Sequence, residues 1–293
     1  MPQVSVIIPT YNRSVLVKEA VESVLAQTLG DLEVLVIDDG STDDTRKTIE
    51  AIEDKRVRYF YKENGGASSA RNLAIRRAAG EYVAFLDSDD LWEPDYLNTM
   101  ISAIKENEKY GAAYTTLHQH YTDGSTKKKY RKKHCVSGRI TCNFFNVIFV
   151  FLPALIVKKK FLEDCCFDES LVSSGDIDFI LRLTLKTEFL YVDCDLVKRR
   201  VQIDSISRVN DGCLVSVNKA FVLERFYNKN KEVFSGKANA CKKISATYRE
   251  IGKRYYNKKD FQNAIYSVKK AIHYNRVNIK NYILAAKSFL SSK

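Results

Sequence analysis

Three aspartates, Asp87, Asp89 and Asp90, directly follow the apolar run YVAFL in residues 81–90, EYVAFLDSDD. Carboxylates this close repel one another unless a positive group lies between them. If the chain stays extended, Asp87 and Asp89 point to the same side, where their oxygens can bind one divalent cation. With Mg²⁺ or Mn²⁺ bound, such a site attracts a diphosphate and stabilises it as it leaves. The plainer interpretation, acids that end a strand and cap a helix starting near Glu93, fits Asp90 better than it fits all three.

Strand-like and helix-like segments alternate through the first hundred residues. The predicted strands are Val4 to Pro9, Leu32 to Ile37, Val57 to Tyr61 and Tyr82 to Leu86. The predicted helices are Ser14 to Gln27, Thr42 to Ile52, with Asp43 and Asp44 in its first turn, and Ala67 to Ala79. This alternation predicts an α/β fold with a mainly parallel, Rossmann-like sheet flanked by helices.

A short polar segment follows each predicted strand. The four segments are PTYNR at 9–13, DDGS at 38–41, ENGGASSARN at 63–72 and DSDD at 87–90. Ligands of open α/β sheets bind outside the carboxyl ends of the strands. We therefore expect the four segments to converge on one crevice.

The middle of the chain is less regular. The basic run KKKYRKK at 127–133 is typical of an exposed loop or edge, with a phosphate or lipid-headgroup contact as the alternative. The apolar run Phe144 to Val157 is expected to be a buried strand rather than a membrane hairpin. Further on, Asp176 and Asp178 open a predicted helix. First-turn carboxylates are commonly only caps.

Composition indicates a globular protein, since 45% of the 293 residues are hydrophobic. The seven cysteines include no CxxC pair, which argues against a zinc site or a disulfide framework. No apolar stretch reaches the roughly 20 residues of a membrane-spanning helix, and the start MPQVSVIIP does not resemble a secretion signal. We expect a soluble, cytoplasmic protein.

The net charge of +11 is concentrated near the C-terminus, where residues from 218 onward hold 18 Lys and Arg against 4 Asp and Glu. Residues 216–293 are predicted to form a basic helical appendage, with a tetratricopeptide-like helix pair near 245–290. With only about one and a third repeats, the pair is expected to pack on the main domain. This charge fits an anionic membrane surface or an acidic polymer, and it also fits a solvated helical surface. No nucleic-acid partner is predicted.

Five segments together resemble the family 2 inverting nucleotide-sugar glycosyltransferases, which have the GT-A fold. They are VSVIIPTYNR, VLVIDDGSTDDT, NGGASSARNLAI, GEYVAFLDSDD and SSGDIDFILRL. The resemblance covers residues 3–210, and its specificity comes from the agreement of all five in order and spacing. It implies a transferase domain at 1–215, with a nucleotide-binding half at 1–110 and an acceptor half at 111–215.

The resemblance implies a nucleotide pocket at the ends of the first two strands. Pro9, Thr10 and Tyr11 would line it, and the Tyr11 ring would give an apolar face to the base. Asp39 would accept the imide N–H of uracil, with Asp38 as its helper. The implied donor is a UDP-sugar, with thymidine and guanosine nucleotides left open.

The same resemblance assigns the groups around the diphosphate and the acceptor. Arg71 would bind the nucleotide or its phosphates, with a surface ion pair as the alternative. Asp87 and Ser88 belong to the DxD element, in which Asp87 and Asp89 would hold Mn²⁺ or Mg²⁺. Asp176 would be the catalytic base that takes the proton of an acceptor hydroxyl. The implied acceptor is a glycan or a lipid-linked sugar at the inner membrane face, in surface polysaccharide or glycolipid synthesis, or a soluble molecule.

The chain departs from the family pattern at three places. Gly175 stands where Glu is frequent, Ala74 where many members have Gly, and Gln202 near a frequent His. The last departure puts a metal ligand from the segment 198–208 in doubt. Two rivals stay open, a degenerate GT-A-fold binding module and a Mg²⁺-dependent phosphohydrolase. The second normally has its DxD on the first strand, with Thr or Val where Leu91 stands here.

Overall fold

A computed structural model describes residues 1–121, 125–128, 134–201, 212–234 and 239–292. The chain divides into two compact units, Met1–Gln202 and Ile203–Lys293. Residues 129–133 of the basic run and residues 202–208 of the segment 198–208 lie outside the described residues.

The first unit is built on a seven-stranded sheet. Its strands are β1 Val4–Thr10, β2 Leu32–Asp38, β3 Val57–Tyr61, β4 Tyr82–Phe85, β6 Tyr110–Tyr114, β9 Leu155–Lys158 and β10 Glu188–Tyr191. The strand order is β10-β6-β9-β4-β1-β2-β3, in which only β9 runs antiparallel to its neighbours. The predicted mainly parallel α/β sheet is confirmed.

Helices connect these strands. They are α1 Ser14–Leu25, α2 Thr45–Glu50, α3 Gly66–Arg77, α4 Tyr96–Glu106, α5 Thr141–Asn146 and α6 Gly175–Lys186. The prediction for α2 was wrong at its start, since Asp43 and Asp44 precede the helix instead of forming its first turn. Asp43 accepts hydrogen bonds from the Thr45 N–H at 3.0 Å and from the Ser14 N–H at 3.1 Å. It therefore ties the start of α2 to the start of α1.

A smaller sheet in the same unit contains β5 Asp90–Trp92, β7 His118–Tyr121, β8 Thr126–Lys128 and β11 Val197–Val201, in the order β5-β11-β7-β8. Asp90 begins β5 and α4 begins at Tyr96, so Asp90 does not cap that helix. The prediction of one strand over Phe144 to Val157 was also wrong. The run is divided among the end of α5, a 3₁₀ turn at Leu152–Ala154 and the strand β9.

The central strands are buried along their whole length, because helices cover both faces of the sheet. Every residue of β1 and β2 is buried, and α1 packs Val17, Val21 and Val24 against this core. Strand β1 lies between β2 and β4. The chain runs from β1 through β2 to β3 in one direction along the sheet and then crosses to β4 on the other side of β1. Such a reversal opens a crevice at the carboxyl ends of the strands.

The second unit is helical. It contains α7 Gly212–Lys229, a 3₁₀ turn at Lys231–Phe234, α8 Asn239–Asn257, α9 Phe261–Tyr274 and α10 Ile279–Ser291. Helices α8 and α9 approach closely, since a Cβ placed on Gly252 would lie 2.7 Å from Val268 Cγ2. Within the described part of the chain, no helix is both long and apolar enough to cross a bilayer.

Candidate active site

The loops after β1 and β2 are bonded to each other at the sheet edge. Thr10 and Asp38 are register partners, and the Asp39 N–H donates to the Thr10 carbonyl at 2.9 Å. Beyond them, the Asn12 N–H donates to Ser41 Oγ, and the Thr42 N–H to Asn12 Oδ1, both at 2.8 Å. Two of the four predicted polar segments therefore form one wall.

Asp39 joins this wall to the start of α3. Its Oδ1 accepts hydrogen bonds from Lys62 Nζ at 2.6 Å and the Gly65 N–H at 2.9 Å, and its Oδ2 accepts from the Gly66 N–H at 2.7 Å. Gly66 has φ +86°, which turns its N–H toward the carboxylate at little steric cost. A carboxylate offers about four acceptor positions, so three donors leave Asp39 one more.

The neighbouring residues of this wall differ in whether their polar atoms already have hydrogen-bond partners. Asp38 is buried, and its two oxygens accept from the Ser41 N–H at 2.8 Å and the Tyr59 hydroxyl at 2.6 Å. Thr10 Oγ1 is buried and has no hydrogen-bond partner among the described residues. The Tyr11 ring is about half exposed, at 48%.

The three carboxylates of the segment 87–90 lie close together, but the segment that carries them is not extended. Ser88 and Asp89 form a turn in which the Asp90 N–H donates to the Asp87 carbonyl at 2.9 Å. The expected i, i+2 geometry was therefore wrong. The turn brings one carboxylate oxygen from each of Asp87, Asp89 and Asp90 within 4.8 Å of the others. A hard divalent cation prefers such a set of oxygen ligands.

Each of the two outer carboxylates is paired with an arginine. Arg71 donates to Asp87 Oδ1 at 2.7 Å, and Arg13 lies 2.9 Å from Asp89 Oδ2. The Arg71 guanidinium also lies over the Phe167 ring, 5.5 Å from its centroid, and its Nε is buried without a partner among the described residues. The arginines thus supply the positive charge that the acidic segment requires.

The third carboxylate, Asp90, lies deeper. It is 2% exposed, and burial together with the charges of Asp87 and Asp89 raises the pKa of its carboxyl well above the usual range. The Arg200 N–H donates to Asp90 Oδ1 at 3.2 Å, and Arg200 Nε donates to the Asp89 carbonyl at 2.6 Å. Strand β11 therefore holds the acidic turn in place through hydrogen bonds from Arg200.

Asp176 lies in the first turn of α6, two residues after a strained backbone position. Ser174 has φ +63°, in the left-handed region that non-glycine residues seldom adopt. Gly175 is buried, and a Cβ placed on it would lie 3.0 Å from Ser68 Oγ of α3. A larger residue at this place would need Ser68 Oγ to shift by a few tenths of an ångström. Asp176 itself is half-buried, and its side chain makes no hydrogen bond or ion pair with any described residue.

Asp178, two residues further on, is a structural residue. It is buried, and its Oδ2 accepts from Nε and Nη2 of Arg182, both at 2.8 Å. Arg182 also donates to the Cys166 carbonyl at 2.6 Å. Of the two first-turn carboxylates, only Asp176 is left for a ligand.

Helix α3 brings these groups together. Its N-terminal amide of Gly66 binds Asp39, Ser68 faces the residue before Asp176, and Arg71 binds Asp87. The three contacts lie within two turns of one helix, a length of about 9 Å. The strand-end carboxylates and Asp176 therefore border a common region around the first half of α3.

Sequence reasoning missed three basic residues of this region, Arg13, Lys62 and Arg200. Arg13 ends the segment PTYNR and Lys62 directly follows β3, so both stand at carboxyl ends of strands, where a signal was available. Arg200 lies 110 residues after the carboxylate its N–H binds, and no local pattern indicates that pairing.

The chain matches the family model described as glycosyl transferase family 2 over residues 5–166. An uncharacterized glycosyltransferase of Rickettsia felis is 37% identical over 204 residues, which are 68% of this chain and 33% of that protein. The chain belongs to glycosyltransferase family 2.

Two further relatives have more informative names. Hyaluronan synthase of Pasteurella multocida is 40% identical over 215 residues, 71% of this chain and 21% of that protein. The GalNAc(5)-diNAcBac-PP-undecaprenol beta-1,3-glucosyltransferase of Campylobacter jejuni is 33% identical over 178 residues, 56% of each chain. The chain thus spans about a third of the Rickettsia felis relative and about a fifth of the hyaluronan synthase.

Solved structures share the fold at low identity. Staphylococcus aureus TarS 1-349 in complex with UDP-GlcNAc has a TM-score of 0.65 and 19% identity, covering 100% of this chain and 93% of that one. Mannosyltransferase PcManGT from Pyrobaculum calidifontis, in complex with GDP-Man and Mn²⁺, has a TM-score of 0.59 and 19% identity, covering 100% and 81%. The expected GT-A fold is confirmed.

Proposed function

We propose that this protein is a metal-dependent inverting glycosyltransferase that moves a hexosyl group from a UDP-sugar to a hydroxyl group of a glycan or a lipid-linked sugar. The observation that carries the proposal is the position of Asp39, Asp87 and Asp176 around the first half of α3. Residues 1–215 are the proposed transferase domain and residues 216–293 its appendage.

The acidic turn fits a divalent cation. Asp87, Asp89 and Asp90 offer oxygen ligands within 4.8 Å of one another, and burial together with the charges of Asp87 and Asp89 raises the pKa of the Asp90 carboxyl. We assign Mn²⁺ or Mg²⁺ to Asp87 and Asp89. When bound, the cation would neutralise charge that develops on the departing diphosphate. Arg71 and Arg13, which hold these carboxylates, are then placed to donate to phosphate oxygens.

The nucleotide pocket is assigned to the wall formed by the loops after β1 and β2. Asp39 keeps one acceptor position for the uracil imide N–H, and the unpartnered Thr10 hydroxyl can donate or accept beside it. The half-exposed Tyr11 ring offers an apolar face to the base. Pro9 and Ser88 complete the lining, and Asp38 acts by holding Ser41 in the loop.

Asp176 is the proposed base. It is half-buried and has no partner among the described residues, so one of its oxygens can accept the proton of the acceptor hydroxyl. The hydroxyl oxygen then bonds to the anomeric carbon of the sugar. The bond between that carbon and the diphosphate oxygen breaks on the opposite face, which inverts the configuration. The base contributes about 10²- to 10⁴-fold in rate.

The proposed acceptor class follows from the relatives and the charge. Two relatives are named for a polysaccharide synthase and for a transferase acting on a polyprenyl-diphosphate-linked glycan. Such acceptors end at or near a membrane, and residues from 218 onward carry 18 basic against 4 acidic residues. We place the reaction in the cytoplasm, at the inner membrane face.

The test is a panel of UDP-, GDP- and dTDP-sugars, incubated with the full chain and Mn²⁺ or Mg²⁺, with nucleoside diphosphate release as the readout. We expect release from a UDP-sugar that stops with a chelator and returns with Mn²⁺. Nuclear magnetic resonance of the transferred sugar reports the anomeric configuration of the product.

Other outcomes separate the rivals. Nucleotide binding without release from any donor would indicate a binding module. Release of inorganic phosphate would indicate a phosphohydrolase. Release that is unchanged by chelation would contradict the role assigned to the acidic turn, and a retained configuration would contradict direct displacement.

A further inference from the structure

The last described helix of the helical unit, α10, carries most of its apolar side chains on the side that faces solvent. Its inner side buries Asn281, Leu284 and Ser288, two of them polar. Asn281 there donates to Ser245 Oγ and to the Ala271 carbonyl, both at 3.1 Å. A surface helix normally has the opposite arrangement, with polar residues outward.

The outward residues form a continuous surface, which we call the α10 outer stripe. It consists of Ile279, Tyr282, Ile283, Ala286, Phe289 and Leu290. Ile279 is 70% exposed, Ile283 50% and Leu290 73%. Positions 279, 283, 286 and 290 follow the i, i+4, i+7, i+11 spacing of one helix face. A contiguous apolar surface of this kind marks an interaction site.

Charge indicates what covers the stripe. Lys280 and Lys287, seven residues apart and both exposed, lie along one edge of it. Residues 261–293 contain six Lys and Arg and no Asp or Glu. Two copies joined through the stripe would bring these like charges together, which disfavours a dimer. An anionic surface with an apolar interior satisfies the lysines and the apolar side chains at once.

We infer that the α10 outer stripe lies in the surface of a membrane that contains anionic lipid, with the helix parallel to the membrane plane. Ile279, Ile283 and Leu290 enter the boundary between headgroups and acyl chains. Lys280 and Lys287 contact the headgroups at the edge. The inference deepens the proposed function, on which it rests, because a lipid-linked acceptor is held at the same surface.

Sedimentation of the full chain with vesicles tests this inference. The vesicles are phosphatidylcholine alone or with about one third phosphatidylglycerol. We expect binding to the anionic vesicles that weakens with salt. The double substitution Ile283→Ser with Leu290→Ser should lower it roughly tenfold or more. The matched control is Tyr266→Ser, which alters an exposed aromatic residue of α9, 60% exposed, outside the stripe.

A second variant tests the charges. Lys280→Ala with Lys287→Ala should lower binding to anionic vesicles by roughly 25-fold, since each lysine near such a surface is worth about fivefold. It should not change the weak binding to neutral vesicles. All four positions are exposed, so circular dichroism is expected to show unchanged helix content.

Absence of vesicle binding, or equal binding by the wild-type and serine variants, would overturn the inference. A dimer in analytical ultracentrifugation that the serine pair abolishes would assign the stripe to a second copy instead. Release of nucleoside diphosphate in lipid-free solution, measured on the same preparations, shows separately whether the proposed transferase activity stands.

Discussion

The carboxylates at the strand ends and the carboxylate of α6 are held in opposite ways. Asp39, Asp87 and Asp89 each face a lysine or arginine at 2.6–2.9 Å. Asp176 faces no partner among the described residues. The first group is held in position by partners within the protein, whereas the Asp176 carboxylate retains its full capacity to accept a hydrogen bond.

This difference separates binding from proton transfer. A carboxylate that is already paired with an arginine binds a cation in competition with that arginine, and an arginine that it releases becomes available to the diphosphate. A base must instead be free to receive a proton at the moment of reaction. The contrast between the two regions therefore matches the contrast between their proposed tasks.

The largest effect is expected when the unpaired carboxylate is removed. Asp176→Asn preserves the shape of the side chain but cannot accept the acceptor proton, so turnover should fall about 10²- to 10⁴-fold. Binding of UDP with Mn²⁺ should stay within about twofold, because Asp176 does not contact the paired carboxylates. Steady-state release of nucleoside diphosphate and calorimetry measure the two quantities. Unchanged turnover would remove Asp176 from the mechanism.

The neighbouring Asp178 provides a contrast within the same helical turn. Asp178→Asn breaks a buried pair with Arg182, whose side chain is 33% exposed, and should lower the free energy of unfolding by about 2–3 kcal/mol. Denaturant titration measures this change. If Asp178→Asn instead left stability intact and abolished turnover, the assignment of the two aspartates would have to be exchanged.

Local sequence patterns predicted the strands β1 to β4 and the loops at their ends, because buried parallel strands are short apolar runs followed by polar residues. They did not predict the turn at Ser88 and Asp89, which adds Asp90 to the acidic cluster. Nor did they predict the Arg13 pair with Asp89, since the fold alone brings residues 76 positions apart together.

One wrong prediction and one exposed apolar helix face illustrate the same limit of sequence patterns. The run Phe144 to Val157 is apolar throughout, and such a run has no periodicity that distinguishes strand from helix. In α10 the periodicity is present, but the apolar face is the exposed one. A pattern shows which residues share a face and leaves open what that face contacts.

Removing a paired carboxylate should have a smaller effect, and this effect on UDP affinity should appear only when the metal is present. Asp89→Ala removes one of the ligands assigned to the cation, so affinity for UDP in the presence of Mn²⁺ should fall about 10- to 100-fold. Affinity for UDP with a chelator present should hardly change. Calorimetry under both conditions measures this. Equal affinity of the wild-type protein and the variant with Mn²⁺ would show that Asp89 does not bind the cation.

The smallest effect should come from replacing Arg13, the arginine that competes with the cation for Asp89. The direction of the change in Mn²⁺ affinity tests this competition. Arg13→Gln removes the positive charge 2.9 Å from Asp89 while keeping a polar side chain. Both partners are partly exposed, so the pair is worth about 1 kcal/mol, and Mn²⁺ alone should bind about fivefold more tightly to the variant. Affinity for UDP with Mn²⁺ should rise less, because the diphosphate loses a donor at the same time.

Titration with Mn²⁺ followed by electron paramagnetic resonance measures the affinity for Mn²⁺ alone. Weaker Mn²⁺ binding by the variant would mean that Arg13 holds Asp89 in place for the cation, and the exchange of partners would then not occur at this carboxylate.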